Sequence, residues 1–132
     1  MKKDVFDKII KKKIPAYVIY EDENTIAFFD KKPVCEGHTL VVPKKRYENI
    51  FDMSDKELCN IIRTVKIVSD MLKNKIGATG INILHASGFS AQQSVNHFHL
   101  HVIPRKKNDG LNMWPKVKYK KIDLNKVFKK FK

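Results

Sequence analysis

Three of the chain's five histidines fall within five residues, His97, His99 and His101, with Phe98 and Leu100 between them and Val102 after. On extended backbone, residues i, i+2 and i+4 share a face. The spacing therefore predicts a strand over 96–103 with a row of imidazoles on one side, successive rings about 6.6 Å apart. Phe98, Leu100 and Val102 would pack the other side. Such a row has three readings. It can be a half-exposed sheet face, although three rings in register are many for a chain with so few histidines. It can be a zinc site, although no Cys or carboxylate stands close in sequence and each ring would need an orienting partner. It can handle phosphate, with one histidine as a nucleophile. The preceding residues favour the third. Ser87-Gly88 and Gln92-Gln93-Ser94 supply a turn, backbone N–H groups, two amides and hydroxyls, the donors that an oxyanion needs. Arg105, after Pro104, adds a cation.

The elements that would hold these groups are legible in the pattern. A short helix is expected over Asp4–Lys12, with Asp4 as its cap and Pro15 beyond its end. Strands are expected at Ala16–Tyr20, Thr25–Asp30, His38–Pro43 and Ile81–Leu84, with a loop at Pro33–Gly37 and another at His85–Ala91. Ser54-Asp55-Lys56-Glu57 fits a capping box. Behind it Leu58, Ile61, Ile62, Val65, Val68, Met71 and Leu72 follow the spacing of one buried helix face, ended by Gly77 and Gly80. Asp123–Phe131 suits a short tail helix. Strands come in runs around one long helix without βαβ alternation, so the class is α+β with a mainly antiparallel sheet.

At 132 residues the chain suits one domain. No apolar run reaches membrane-spanning length, and the charged N-terminal stretch MKKDVFDKIIKKK has no signal-peptide core, so a cytoplasmic location is expected. Cys35 and Cys59 form no CxxC pair and read as small buried hydrophobes. The net charge of +13 is uneven: residues 105–132 carry eleven Lys or Arg against Asp109 and Asp123. A basic tail can attract nucleic acid, but a solvated lysine-rich surface is the favoured reading, and neither a nucleic-acid nor a membrane partner is expected.

HFHLHV follows the His-apolar-His-apolar-His-apolar pattern of the histidine triad (HIT) family. DVFDKIIKKKIPA, VIYEDENTIAFFD, GHTLVVPKK and QQSVNHFHLHVIPR stand in the family's order from about Asp4 to Arg105, and DGLNMWP is similar to bacterial members. The chain thus resembles the bacterial-type branch of nucleoside phosphoramidases and nucleotide hydrolases. The resemblance implies a HIT-like fold, with about five mainly antiparallel strands and one long and one short helix. It would occupy residues 1–105, with 106–132 a basic tail packing on or extending from it.

The resemblance also implies an activity, cleavage at the α-phosphate of a purine nucleoside phosphoramidate or related adduct. His99 would be the nucleophile, its Nδ1 held by the carbonyl of His97, and His101 would contact the phosphate. His97 and His38 would complete the imidazole cluster. Gln93 and Ser94 would donate to phosphate and leaving group, Asp30 would accept from the ribose, and Phe6, Ile9, Ile14 and Phe28 would sandwich the base. A dinucleoside polyphosphate hydrolase and a low-turnover nucleotide-binding regulator are the alternatives. Two departures stand out. Where many relatives bind structural zinc through CxxC and a histidine after PKK, this chain has Asp4, Asp7 and Arg46, so no metal and no cofactor is expected. Where relatives carry a phosphate-binding asparagine, HASG offers His85 or Ala86. Relatives of this size form homodimers, which is the assembly expected.

Overall fold

Side chains alternate across a strand, and that alternation decides where the core sits. The computed structural model describes residues 4–132; Met1 to Lys3, the start of the charged N-terminal stretch, lie outside the described residues. The elements run α1 (Val5–Ile10), β1 (Val18–Glu21), β2 (Thr25–Phe29), β3 (Thr39–Pro43), α2 (Asp55–Ile76), β4 (Gly80–Leu84), β5 (Leu100–Arg105) and α3 (Leu124–Lys129). The strands form one antiparallel sheet in the order β1-β2-β3-β5-β4. The architecture is the expected α+β one, with α2 long and α1 short.

The central strands β2 and β3 divide their residues between two apolar clusters. Ala27, Val41, Leu100 and Val102 face α2 and meet its Ile61, Val65, Val68 and Leu72. Their neighbours Ile26, Phe28, Leu40 and Val42 face the opposite way and meet Phe6 and Ile9 of α1. The helix ends follow their sequence signals. Ser54 caps α2 by accepting from the Glu57 N–H at 3.2 Å, and Gly77 closes it in the left-handed conformation (φ 74°). Asp4 and Asp7 cap α1 reciprocally, each carboxylate accepting from the other residue's N–H.

Several expectations need correction. The last strand begins at Leu100, not Asn96, so His97 and His99 stand before it. The alternation nevertheless continues upstream, because Phe98 joins Leu100 and Val102 in the α2 cluster. Ile62 leaves the α2 stripe and is 56% exposed. Cys59 is exposed and Cys35 half-buried, so neither is a core residue. Arg105 turns toward the tail: it donates to both Asp109 carboxylate oxygens at 2.8 Å, to Asn82 Oδ1 and to the Leu111 carbonyl. That network fastens the start of the tail, and it takes the guanidinium away from the phosphate role expected of it. Beyond it α3 stands with all its residues exposed. No helix of the described residues is long and apolar enough to cross a membrane.

The sheet–helix contact makes a direct test of this core. Ile61 is fully buried between α2 and the sheet, so Ile61→Ala should cost about 2–5 kcal/mol in denaturant unfolding. Lys66→Ala, on the exposed face of the same helix, should change stability by less than about 0.5 kcal/mol.

Candidate active site

The face of the sheet opposite α2 is only partly covered by α1, and the remainder forms a cleft of about 1040 Å³. Phe6 and Ile9 of α1 and Phe28 and Leu40 of the sheet give it an apolar floor. Asp30, Ser94, His99 and His101 bring polar groups to its wall. Of the four apolar residues expected to sandwich a base, Phe6, Ile9 and Phe28 line this space. Ile14 packs against the cluster behind it and is not among the lining residues.

Hydrogen bonds to the backbone decide which nitrogen of each imidazole carries a proton. His99 donates from Nδ1 to the carbonyl of His97 at 2.8 Å, leaving the Nε2 lone pair unshared. His38 accepts from the Val34 N–H through Nδ1 at 3.2 Å, so its proton is on Nε2. That proton is donated to His101 Nδ1 at 2.9 Å, and the proton of His101 is therefore on Nε2. One ring presents a base and the next presents a donor, and main-chain groups set both. The rings of His99 and His101 lie 5.2 Å apart.

Burial makes these rings hard to charge. It is the largest cause that lowers the pKa of His99, against the raising effect of the His97 carbonyl, with His85 and His97 adding to the lowering. His101 is pushed down to about 4, by burial first and then by His99 and His38. His38 is lowered by burial, with Asp30 Oδ2 at 3.5 Å opposing. Neutral imidazole is the form that a nucleophile needs.

The loop that carries His38 is held by a close approach. Gly37 has φ 90°, and a Cβ there would collide with Ile76 at the end of α2. His38 partners His101 rather than His99, and His97 does not join the imidazole cluster at all. The His97 ring is fully buried beneath α1, where Nε2 faces the Pro43 carbonyl at 3.0 Å and Nδ1 faces Asp4 Oδ2 at 3.2 Å. The three rings thus stay on the α1 side of the sheet, but only His99 and His101 reach the cleft, while α1 covers His97.

Asp4, Asp7 and His97 bring ligand-type atoms within 4.8 Å of one another, as do Asp30, His38 and His101. Neither group suits the zinc of many relatives. Arg46 sets a cation beside both carboxylates of the first, Nε at 3.5 Å from Asp4 and Nη1 at 3.6 Å from Asp7, and there is no thiolate. In the second, both nitrogens of His38 are committed to Val34 and His101, which leaves that ring no lone pair to offer a metal.

The HASG loop has its own arrangement. His85 donates from Nδ1 to the His99 carbonyl at 2.9 Å. Its Nε2 accepts from the Ser87 hydroxyl, whose oxygen accepts from the Ile50 N–H at 2.9 Å. The ring also lies against Phe98, centroids 4.5 Å apart. His85 thus holds the backbone of the triad and is not among the residues lining the cleft. The side chain of Gln93 is likewise engaged with backbone. It donates to the carbonyls of Glu48 and Val95 at 2.7 and 2.9 Å and accepts from the Gly88 N–H at 2.7 Å. The amide expected to donate to a phosphate oxygen instead ties its own loop to the Glu48 segment. Ile50 and Val34 were not singled out from sequence. Ile50 meets Ser87 from 37 residues away, and Val34 stands in a loop with no regular hydrogen-bond pattern to read.

A family profile described as "HIT domain" matches residues 11–108. An uncharacterized HIT-like protein of Methanocaldococcus jannaschii is 49% identical over 131 residues, 97% of this chain and 98% of that one. An adenosine 5′-monophosphoramidase of Candida albicans is 36% identical over 117 residues, 84% of this chain and 77% of that one. The crystal structure of a HIT family member from Bacillus subtilis superposes with a TM-score of 0.86 at 35% identity, covering 98% of this chain and 95% of that one. With its paired imidazoles, its cleft and this similarity over nearly the whole length, the chain belongs to the histidine triad family.

Proposed function

We propose that the protein is a nucleotide hydrolase that cleaves at the α-phosphate of a purine nucleoside phosphoramidate or related adduct through a nucleotidyl-histidine on His99. The observation that carries this reading is the His97 carbonyl bound to His99 Nδ1, which leaves a neutral Nε2 lone pair at the wall of a nucleotide-sized cleft. The monophosphoramidase among its relatives supports the substrate class.

In this reading the apolar floor of Phe6, Ile9 and Phe28 takes the base and Asp30 accepts from the ribose. His101 donates from Nε2 to a phosphate oxygen. The Nε2 pair of His99 attacks phosphorus, and the bond from phosphorus to the leaving nitrogen breaks with its electrons on that nitrogen. A proton reaches the leaving amine through the Ser94 hydroxyl, which water replenishes. Water then attacks the same phosphorus, the P–Nε2 bond breaks and its proton goes to solvent. The nucleoside monophosphate departs and His99 is neutral again. The His97 carbonyl stabilises the positive ring between the two steps, since Nδ1–H donates to it throughout. Gln93 and His85 serve by holding the loop and the triad backbone. We also assign residues 1–105 to the catalytic domain, 106–132 to a basic tail, and the active form to a homodimer. The outer edge of β4, where Ile83 is half-exposed, offers unpaired backbone that a second copy can continue.

His99→Ala should lower turnover of a fluorogenic adenosine phosphoramidate on the order of 10³-fold or more, while nucleoside monophosphate binding persists in calorimetry. Acid quench of the wild type should trap nucleotide on His99. Wild type with neither turnover nor a trapped adduct rules the reading out. The pH profile has a definite sign. Protonation of Nε2 removes the attacking pair, and burial lowers the His99 pKa. The acid limb of kcat/KM should therefore have its midpoint below 6.5, the ordinary histidine value. A midpoint above it contradicts the assignment.

A further inference from the structure

We infer that the charge cluster of Asp4, Asp7 and Arg46 positions the His99 imidazole, acting through His97 and without a metal ion. The inference rests on the nucleophilic role proposed for His99. Each carboxylate of the α1 cap has two oxygens with separate duties. Asp4 Oδ1 accepts from the Asp7 N–H at 2.8 Å, while Asp4 Oδ2 faces His97 Nδ1 at 3.2 Å. Asp7 Oδ2 accepts from the Asp4 N–H at 3.2 Å, while Asp7 Oδ1 lies 3.6 Å from the same ring nitrogen. The helix cap and the histidine clamp are one structure.

Arg46 holds that structure from β3's side of the sheet. It pairs with both carboxylates and donates from Nη2 to the Asn96 carbonyl at 3.4 Å, immediately before His97. The Pro43 carbonyl faces the other His97 nitrogen. The His97 ring is therefore gripped on two edges, and Phe6 meets it edge-on with centroids 5.7 Å apart. Fixing the ring and the peptide ahead of it fixes the His97 carbonyl, and that carbonyl holds the proton of His99 on Nδ1. Phe6 also meets the His99 ring at 5.1 Å, so α1 touches both histidines directly. Asp4, Asp7 and Arg46 are positioning residues, since none of them lines the cleft.

The groups facing His97 are Asp4 and Asp7 from α1 and the Pro43 carbonyl from β3. Arg46, from the segment after β3, meets both carboxylates and the Asn96 carbonyl. Two cations or a metal would compete for one pair of carboxylates. With a guanidinium within 3.6 Å of both, the cluster has its cation built in.

Asp4→Asn tests this, because asparagine caps helices as well as aspartate does while the acceptor oxygen facing His97 and Arg46 becomes a neutral N–H donor. Asp7→Asn perturbs the longer contact. The first readout, independent of activity, is the ring tautomer of His99 by nitrogen–proton correlation NMR. Wild type should show one Nδ1–H tautomer, unmoved by EDTA. Asp4→Asn should give a mixture of tautomers, and Asp7→Asn a smaller change in the same direction. The second readout is kinetic: kcat should fall between about 10- and 100-fold with KM within about twofold. A lowered melting temperature with an unchanged His99 spectrum means that the cluster only fastens the fold, and overturns the inference. So does a wild-type spectrum that moves on chelation. If Asp4→Asn does not fold, an unaltered His99 spectrum in Asp7→Asn overturns it equally. If wild type turns nothing over while the tautomer responds as expected, the hydrolase reading fails and the positioning stands.

Discussion

A single local hydrogen bond, from the His99 ring to the carbonyl two residues back, constrains much of what surrounds it. An imidazole nitrogen can hold a proton or offer a lone pair, and not both. Once Nδ1 is tied to the main chain, Nε2 is a base whatever occupies the cleft. The same bond shapes the backbone. The His97 carbonyl accepts from His99, the His99 carbonyl accepts from His85, and the Phe98 N–H donates to the Tyr47 carbonyl. These backbone groups bond to rings and to a loop, and the β5 ladder begins only at Leu100. The strand is shortened at the point where the rings draw on main-chain acceptors.

The neighbouring histidines extend this logic across chain segments far apart in sequence. Val34 orients His38, His38 orients His101, and Ser87 orients His85. Every link in these relays is a backbone, hydroxyl or imidazole group with a defined direction, so the site is preorganised before any ligand enters. Burial reinforces the arrangement, since it lowers the pKa of His38, His99 and His101 alike and keeps the rings in the form whose tautomers the relays define.

The sheet supplies the platform because its two faces do different work. One is closed by α2 over a continuous apolar cluster, which gives the strands a rigid backing. The other is closed only in part by α1, a helix of six residues. Helices so short are marginal on their own. This one is held by its reciprocal aspartate cap, by Phe6 and Ile9 in the second cluster, and by the ion pairs to Arg46.

The number of strands, the long helix with its cap, and the strand region that carries the three histidines were all legible in the residue pattern. Periodicity is a local property and survives into the fold: Phe98, Leu100 and Val102 pack as alternation demands, even where the ladder stops. Ile62 escaped the pattern because helical spacing sets only the angle around the axis, and its position falls beyond the edge of the sheet contact. The same local rules place His97, His99 and His101 on the α1 face of the sheet, but they do not say which partner His97 or Gln93 takes. The direction of a ring or an amide depends on partners at Asp4, Pro43 and Glu48, which lie 45 to 93 residues away. Sequence alone determined which side chains could do chemistry and which face of the chain would carry them. Tertiary structure alone decided where the rings of His97 and His101 and the amide of Gln93 are anchored, because their partners at Asp4, Pro43, His38 and Glu48 lie 45 to 93 residues away and only the folded chain brings them into hydrogen-bond reach.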